Sequence, residues 1–227
     1  MRGTLPPAVA VMAKVPGLET VKSRLHGAIS PARAALLSRC FLLDGLDALA
    51  TVAGIAPLVA YSPAWGHARM RALVPEGCRL VPQATGDLGE RMRALLDALL
   101  AEGHRGAIAI GTDSPTLPMA HVQEAADVLR AGAAEVVLGP AEDGGYYLIG
   151  IPAPEPALFA DIAWSTERVL DQTRERAAAH GLRTHLLRPW YDVDTADDLR
   201  RLRAELASRA DGPRRTRRCL QAFFGED

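Results

Sequence analysis

Lysine is nearly missing from this chain. Of its 26 basic residues only Lys14 and Lys22 are lysines, and the others are arginine. That imbalance suggests a GC-rich genome in which lysine codons have drifted to arginine, so two lysines eight residues apart in one loop stand out. Cysteine is also sparse. Cys40, Cys78 and Cys219 are scattered and odd in number, which excludes a disulfide framework and metal-type spacing and reads as the reduced thiols of a cytosolic protein. Excess charge of one sign is absent: the net charge of −1 gives no global attraction to nucleic acid or an anionic membrane. Long hydrophobic runs are lacking as well. The N-terminal "PPAVAVMA" is too short for a membrane span and has no cleavage site after a charged region, so it reads as a buried strand of a cytoplasmic protein. No GxSxG elbow, no Ser/His/Asp arrangement and no Walker A loop occurs, and the six histidines show no ligand spacing.

What is present is an alternation of strand-length apolar runs with helical segments. At 227 residues, with 48% hydrophobic and 23% charged content, the chain fits one domain with a full core. Strands are expected at Ala8–Ala13, Ala56–Tyr61, Ala107–Thr112 and Glu135–Pro140. Ser30 as N-cap with Pro31 at the first helical position opens an amphipathic helix. Helical stretches starting near Gly86, Leu117 and Ser165 each end on a glycine suited to a left-handed cap. Such βα alternation predicts an α/β fold, a mostly parallel sheet with helices on both faces. Residues 1–209 are expected to form the domain. Residues 210–227, with the arginines of "GPRRTRRC", are expected to be a solvated tail.

In an open parallel sheet, ligands bind beyond the carboxyl ends of the strands. Five such ends carry glycine, basic residues or aspartate. "KVPGLETVKSRL" offers Lys14, Lys22 and Arg24 on a backbone softened by Gly17, a receptor for phosphate oxygens. "ATGDLGERM" starts a helix with Gly86 and Gly89, which can admit a nucleobase or ribose edge, although a plain helix start also explains them. "TDSPTLP" puts Asp113 just past a buried strand, either as a Mg²⁺ ligand beside a diphosphate or as an Asx-turn or cap. "AEDGGYYLIG" joins Asp143, a base or orienting group for an acceptor, to Gly144, Gly145 and Tyr146. "YDVDTADDL" supplies Asp192 and Asp194, which face opposite ways on an extended segment, so that one can complete a metal site while Thr195 or the other caps the last helix. Trp164 reads equally as core or as an acceptor-side wall.

Taken in order, "VMAKVPGLETVKSRL", "GDLGERM", "IGTDSPTLP", "VVLGPAEDGGYYLIG", "WSTERVL" and "WYDVDTADDL" resemble the nucleotide-diphospho-sugar transferase superfamily. The likeness is strongest to a small bacterial glycosyltransferase-like family linked by naming to arsenosugar biosynthesis. The resemblance implies a single-domain GT-A-like, Rossmann-like fold and glycosyl transfer from a nucleoside diphosphate sugar to a small acceptor. It implies Lys14, Lys22 and Arg24 around the phosphates and Mg²⁺ or Mn²⁺ on Asp113. The DxD element of better-known members is missing here, and Asp194 resembles the late aspartate of related nucleotidyltransferases, with Asp192 as competitor. Nucleotidyl transfer from a nucleoside triphosphate, releasing pyrophosphate, is the alternative reaction. Neither reaction involves nucleic acid or a membrane span.

Overall fold

The computed structural model describes residues 4–225. One seven-stranded sheet runs through it in the order β3-β2-β1-β4-β6-β5-β7. The strands are β1 (Ala8–Lys14), β2 (Ala56–Ser62), β3 (Arg79–Pro82), β4 (Ala107–Ile110), β5 (Val136–Pro140), β6 (Tyr146–Ile151) and β7 (Thr184–Leu186). β1 pairs in parallel with β2 and β4, β2 with β3, and β5 with β7. Only β6 is reversed, antiparallel to both β4 and β5. The α/β class expected from the alternation is the one found.

Helices cover both faces because the strands are apolar on both sides. Val9, Val11 and Ala13 of β1 pack with Leu42, Leu46 and Leu49 of α1 (Pro31–Leu49) and with Val122, Ala125 and Leu129 of α4 (Met119–Ala131). The alternate residues Ala8 and Ala10 face Leu95, Leu96 and Leu99 of α3 (Leu88–Ala101) and Ala177 of α5 (Val169–Ala179). A short helix α2 (His67–Leu73), not evident from sequence pattern, adds Met70 to the first face. No helix among the described residues is long and apolar enough to cross a membrane.

The arginine-rich segment departs from the expected solvated tail. Residues 214–224 form α7 (Arg214–Phe224), which packs on α1, while α6 (Ala196–Ser208) completes a third core. Leu199, Leu202, Leu206 and Leu220 there meet Leu25, Leu37 and Phe41. The expected domain and tail limits at 1–3 and 226–227 lie outside the described residues. Charge alone misleads here because Arg215 pairs with Asp44 at 3.3 Å and also with Asp47, and Arg217 donates to the Asp211 carbonyl at 2.8 Å. The arginines therefore sit around a buried stripe of Thr216, Cys219 and Leu220.

Asp44 fixes this docking. It is 6% exposed and accepts from the Thr216 N–H at 2.7 Å and the Arg215 N–H at 3.1 Å. A carboxylate from α1 thus satisfies the otherwise unpaired N–H groups at the start of α7. Asp44→Ala is expected to lower stability by about 1–3 kcal/mol, because the buried Thr216 N–H and the partly buried Arg215 N–H lose their acceptor. Urea unfolding measures the loss, and hydrogen exchange should show residues 214–224 opening before the sheet does.

Candidate active site

The loop leaving β1 turns inward at Lys22, whose backbone is left-handed at φ 52° and ψ 41° before a short 3-10 turn, Ser23–Leu25. Its ammonium lies 2.6 Å from Asp113 Oδ1, 3.1 Å from Asp194 Oδ1 and 2.7 Å from the Val193 carbonyl. The side chain is only 3% exposed, while those of Asp113 and Asp194 are 45% and 34% exposed. Burial works against the Lys22 charge, but Asp113 and Asp194 more than offset it and raise the pKa above the usual lysine value. The Lys22 amine is thus engaged inward, by the two acids and the Val193 carbonyl. Arg24, exposed and 3.8 Å from Asp194 Oδ2, and Lys14, exposed with its amine 3.4 Å from the Thr20 carbonyl, are the accessible cations of the loop.

Distant segments bring the acids together. Asp113 follows β4, and its carbonyl accepts the Val193 N–H at 2.8 Å, which attaches the 191–195 segment to the β4 end. Thr195 and Asp198 form a capping box at the start of α6. Asp198 Oδ2 also accepts the Asp194 N–H at 3.1 Å, so the cap holds the Asp194 backbone in place. Asp192 accepts a hydrogen bond from Ser114 Oγ. Burial pushes its carboxyl up to about 6. Asp113 and Asp143 add to that rise, while the Ser114 hydrogen bond and Lys22 oppose it. Among the described residues, no three Asp, Glu, His or Cys side chains converge on a metal position. The pair Asp113 and Asp194 still suits Mg²⁺ or Mn²⁺, since such ions commonly take one or two carboxylates beside phosphate oxygens and water.

The residues expected on the acceptor side lie on and around the β5–β6 turn. Asp143 Oδ1 accepts the Gly145 N–H at 2.9 Å, forming a tight turn. Gly144, at φ 86°, brings the turn so close to the 163–170 loop that a Cβ would lie 2.1 Å from the Glu167 carbonyl oxygen. Tyr146 is half-buried. Its hydroxyl is buried without a hydrogen-bond partner, and its ring packs against the α3 face of the core. Trp164 stacks on Phe159 and covers Gly89, where a Cβ would come within 2.3 Å of the indole. Gly89 thus makes room for Trp164. Gly86, at φ 116°, precedes the Asp87–Glu90 capping box of α3, and Gly17, at φ 79°, lies under the Arg69 guanidinium. A separate cavity of about 690 Å³ opens behind Pro115–Met119, against Asp44 and α7, and contains none of the site acids.

Three contacts escape sequence reading because their partners are far apart in the chain. Ser114 meets Asp192. Thr116 lies 3.3 Å from both the Tyr191 hydroxyl and Glu205. Arg201 pairs with Glu142 at 2.6 and 3.1 Å while stacking on Tyr191 at 3.8 Å, tying α6 to the turn that carries Asp143.

The sheet, with cations and acids gathered at its carboxyl edge, matches the nucleotide-diphospho-sugar transferase type of α/β fold. The chain belongs to the family described as "Uncharacterized protein conserved in bacteria (DUF2064)", whose model matches residues 45–166. A crystal structure from Desulfovibrio desulfuricans G20, described as a candidate nucleotide-diphospho-sugar transferase, is similar at 30% identity and TM-score 0.88, over 96% of this chain and 95% of that one. More distant likenesses share the fold. CMP:2-keto-3-deoxy-manno-octonic acid synthetase in complex with CTP has 14% identity and TM-score 0.57, over 89% of this chain and 98% of the other. The 4-diphosphocytidyl-2C-methyl-D-erythritol synthase of Anaerococcus prevotii DSM 20548 has 10% identity and TM-score 0.57, over 89% and 99%. No curated protein matches the chain.

Gly144→Ala is expected to cost about 1–3 kcal/mol, since a side chain at this φ is strained and has no space. Urea unfolding gives the loss. Hydrogen exchange should rise in residues 141–147 and 163–170 and stay unchanged in β1 and β2.

Proposed function

We propose that the protein is a transferase acting on a nucleotide-activated donor, moving a glycosyl group from a nucleoside diphosphate sugar to a small hydroxyl-bearing acceptor. The observation that carries this reading is the Asp113–Asp194 pair, assembled from two strand ends around one ammonium, with Arg24 3.8 Å from its outer side. Asp113 and Asp194 would hold Mg²⁺ or Mn²⁺, which when bound neutralises negative charge on the departing diphosphate. Lys14 and Arg24 project from the same loop and bind donor phosphate oxygens. Asp143, on a turn held by Glu142–Arg201 and by the Gly144 contact, orients the acceptor hydroxyl through the carboxylate oxygen that does not accept from Gly145. Asp192, pushed up to about 6 and bonded to Ser114, sits behind them and adds negative potential.

A second reading, transfer of a nucleoside monophosphate with release of pyrophosphate, is favoured by one feature. The second acid is Asp194, 81 positions beyond Asp113, instead of the DxD neighbour that glycosyl transferases of this fold use. The CTP-bound synthetase of similar fold is consistent with it. Product analysis separates the two readings. Nucleoside diphosphate release from nucleotide sugars supports glycosyl transfer, and pyrophosphate release from nucleoside triphosphates supports nucleotidyl transfer. With whichever donor is consumed, Asp113→Asn is expected to lower kcat by about a hundredfold or more while the melting temperature stays within a few degrees. A folded Asp113→Asn variant with undiminished turnover removes the metal role of Asp113.

A further inference from the structure

Lys22 occupies the place where the charge of a divalent cation would be needed. Its ammonium binds one oxygen of each acid, at 2.6 and 3.1 Å, and the Val193 carbonyl at 2.7 Å. All three are oxygen donors of the kind that Mg²⁺ and Mn²⁺ take. Phe41 closes the site from below, with its ring centroid 5.5 Å from the amine, and the side chain is 3% exposed. Arg24 stands on the outer side of Asp194. Two positive groups thus attend two carboxylates, leaving little net charge to attract a bare divalent ion. An ammonium in contact also repels an incoming cation strongly at such short range.

We propose that Lys22 is an internal counter-ion that competes with the divalent metal for Asp113 and Asp194, so that the site takes metal only together with the donor phosphates. This rests on the metal-assisted reading of the site. Without ligand, the ammonium holds two carboxylates side by side that would otherwise repel each other, and the loop stays ordered. When a metal–nucleotide complex arrives, the phosphates supply the negative charge that lets the ammonium leave the acids for the donor. The left-handed backbone at Lys22 marks the residue that turns. A non-glycine residue holds this conformation only while its surroundings enforce it, and here the enforcing contacts are the three oxygens around the amine. Binding order follows from the same competition, with the metal entering as the nucleotide complex and not before it.

The test is Mn²⁺ alone, titrated by electron paramagnetic resonance into wild type, Lys22→Met, Lys22→Gln and Lys22→Met/Asp113→Asn. Lys22→Met and Lys22→Gln are expected to bind Mn²⁺ about tenfold or more tightly than wild type, and the double variant to lose that gain. Equal or weaker binding in both single variants overturns the proposal and makes Lys22 a strut for the acids. Two substitutions are used because a buried methionine and a glutamine that keeps a donor to Val193 stress the fold differently, and melting curves identify the one that stays folded. Donor turnover by wild type is read separately. Tighter Mn²⁺ binding in the variants with no donor consumed by wild type sinks the proposed reaction and leaves the counter-ion role standing. Turnover without any gain in Mn²⁺ binding does the reverse.

Discussion

A buried ammonium shared by two carboxylates holds this site together. Removing the Lys22 charge from water is costly, and three oxygen partners from two other segments offset that cost. Taking away one partner leaves an uncompensated charge, so the positions of the β1 loop, the β4 end and the 191–195 segment depend on each other. The link between the Asp113 carbonyl and the Val193 N–H, together with the Asp198 cap on the Asp194 backbone, keeps the acids from drifting apart when charge balance changes. A surface ion pair would give no such constraint, because solvent screens it.

Sheet topology explains why these groups meet. β1 and β4 run in parallel, so their carboxyl ends lie on one edge and deliver Lys14, Lys22 and Asp113 there. β6 runs antiparallel between β4 and β5, which puts the β5–β6 turn with Asp143 on that same edge. β7 is parallel to β5, so the chain emerges once more at this edge before reaching Asp192 and Asp194. A single reversed strand therefore converts a half-site into a closed ring of functional side chains. Helices α6 and α7 hold the last arc of that ring by packing on α1, the helix into which the Lys22 loop leads.

The balance of charge in the ring sets what it attracts. Asp113, Asp143, Asp192 and Asp194 stand near one buried lysine and one exposed arginine. Burial is the main reason the Asp192 carboxyl rises to about 6, with a smaller push from Asp113 and Asp143. With Lys22 and Arg24 offsetting Asp113 and Asp194, a divalent cation would enter this ring together with phosphate oxygens.

Much of this was legible without coordinates. Ser30 and Pro31 do open α1, Thr195 does cap the last helix before the C-terminal segment, and the apolar runs do become parallel strands. These features are local: side-chain chemistry within a turn or two, or a repeating pattern, decides them. The choice of Asp113, Asp194 and Lys22 as residues of interest was likewise available from their places after apolar runs. Direction and partnership were not. That Lys22 faces inward, that Gly89 yields space to Trp164, that the Tyr146 hydroxyl is buried and that the arginine-rich end is a docked helix all depend on residues dozens to hundreds of positions away. Periodicity and capping act over a few residues and are written in the chain. Which charge neutralises which is decided only when the folded backbone closes the distances and removes the water between them.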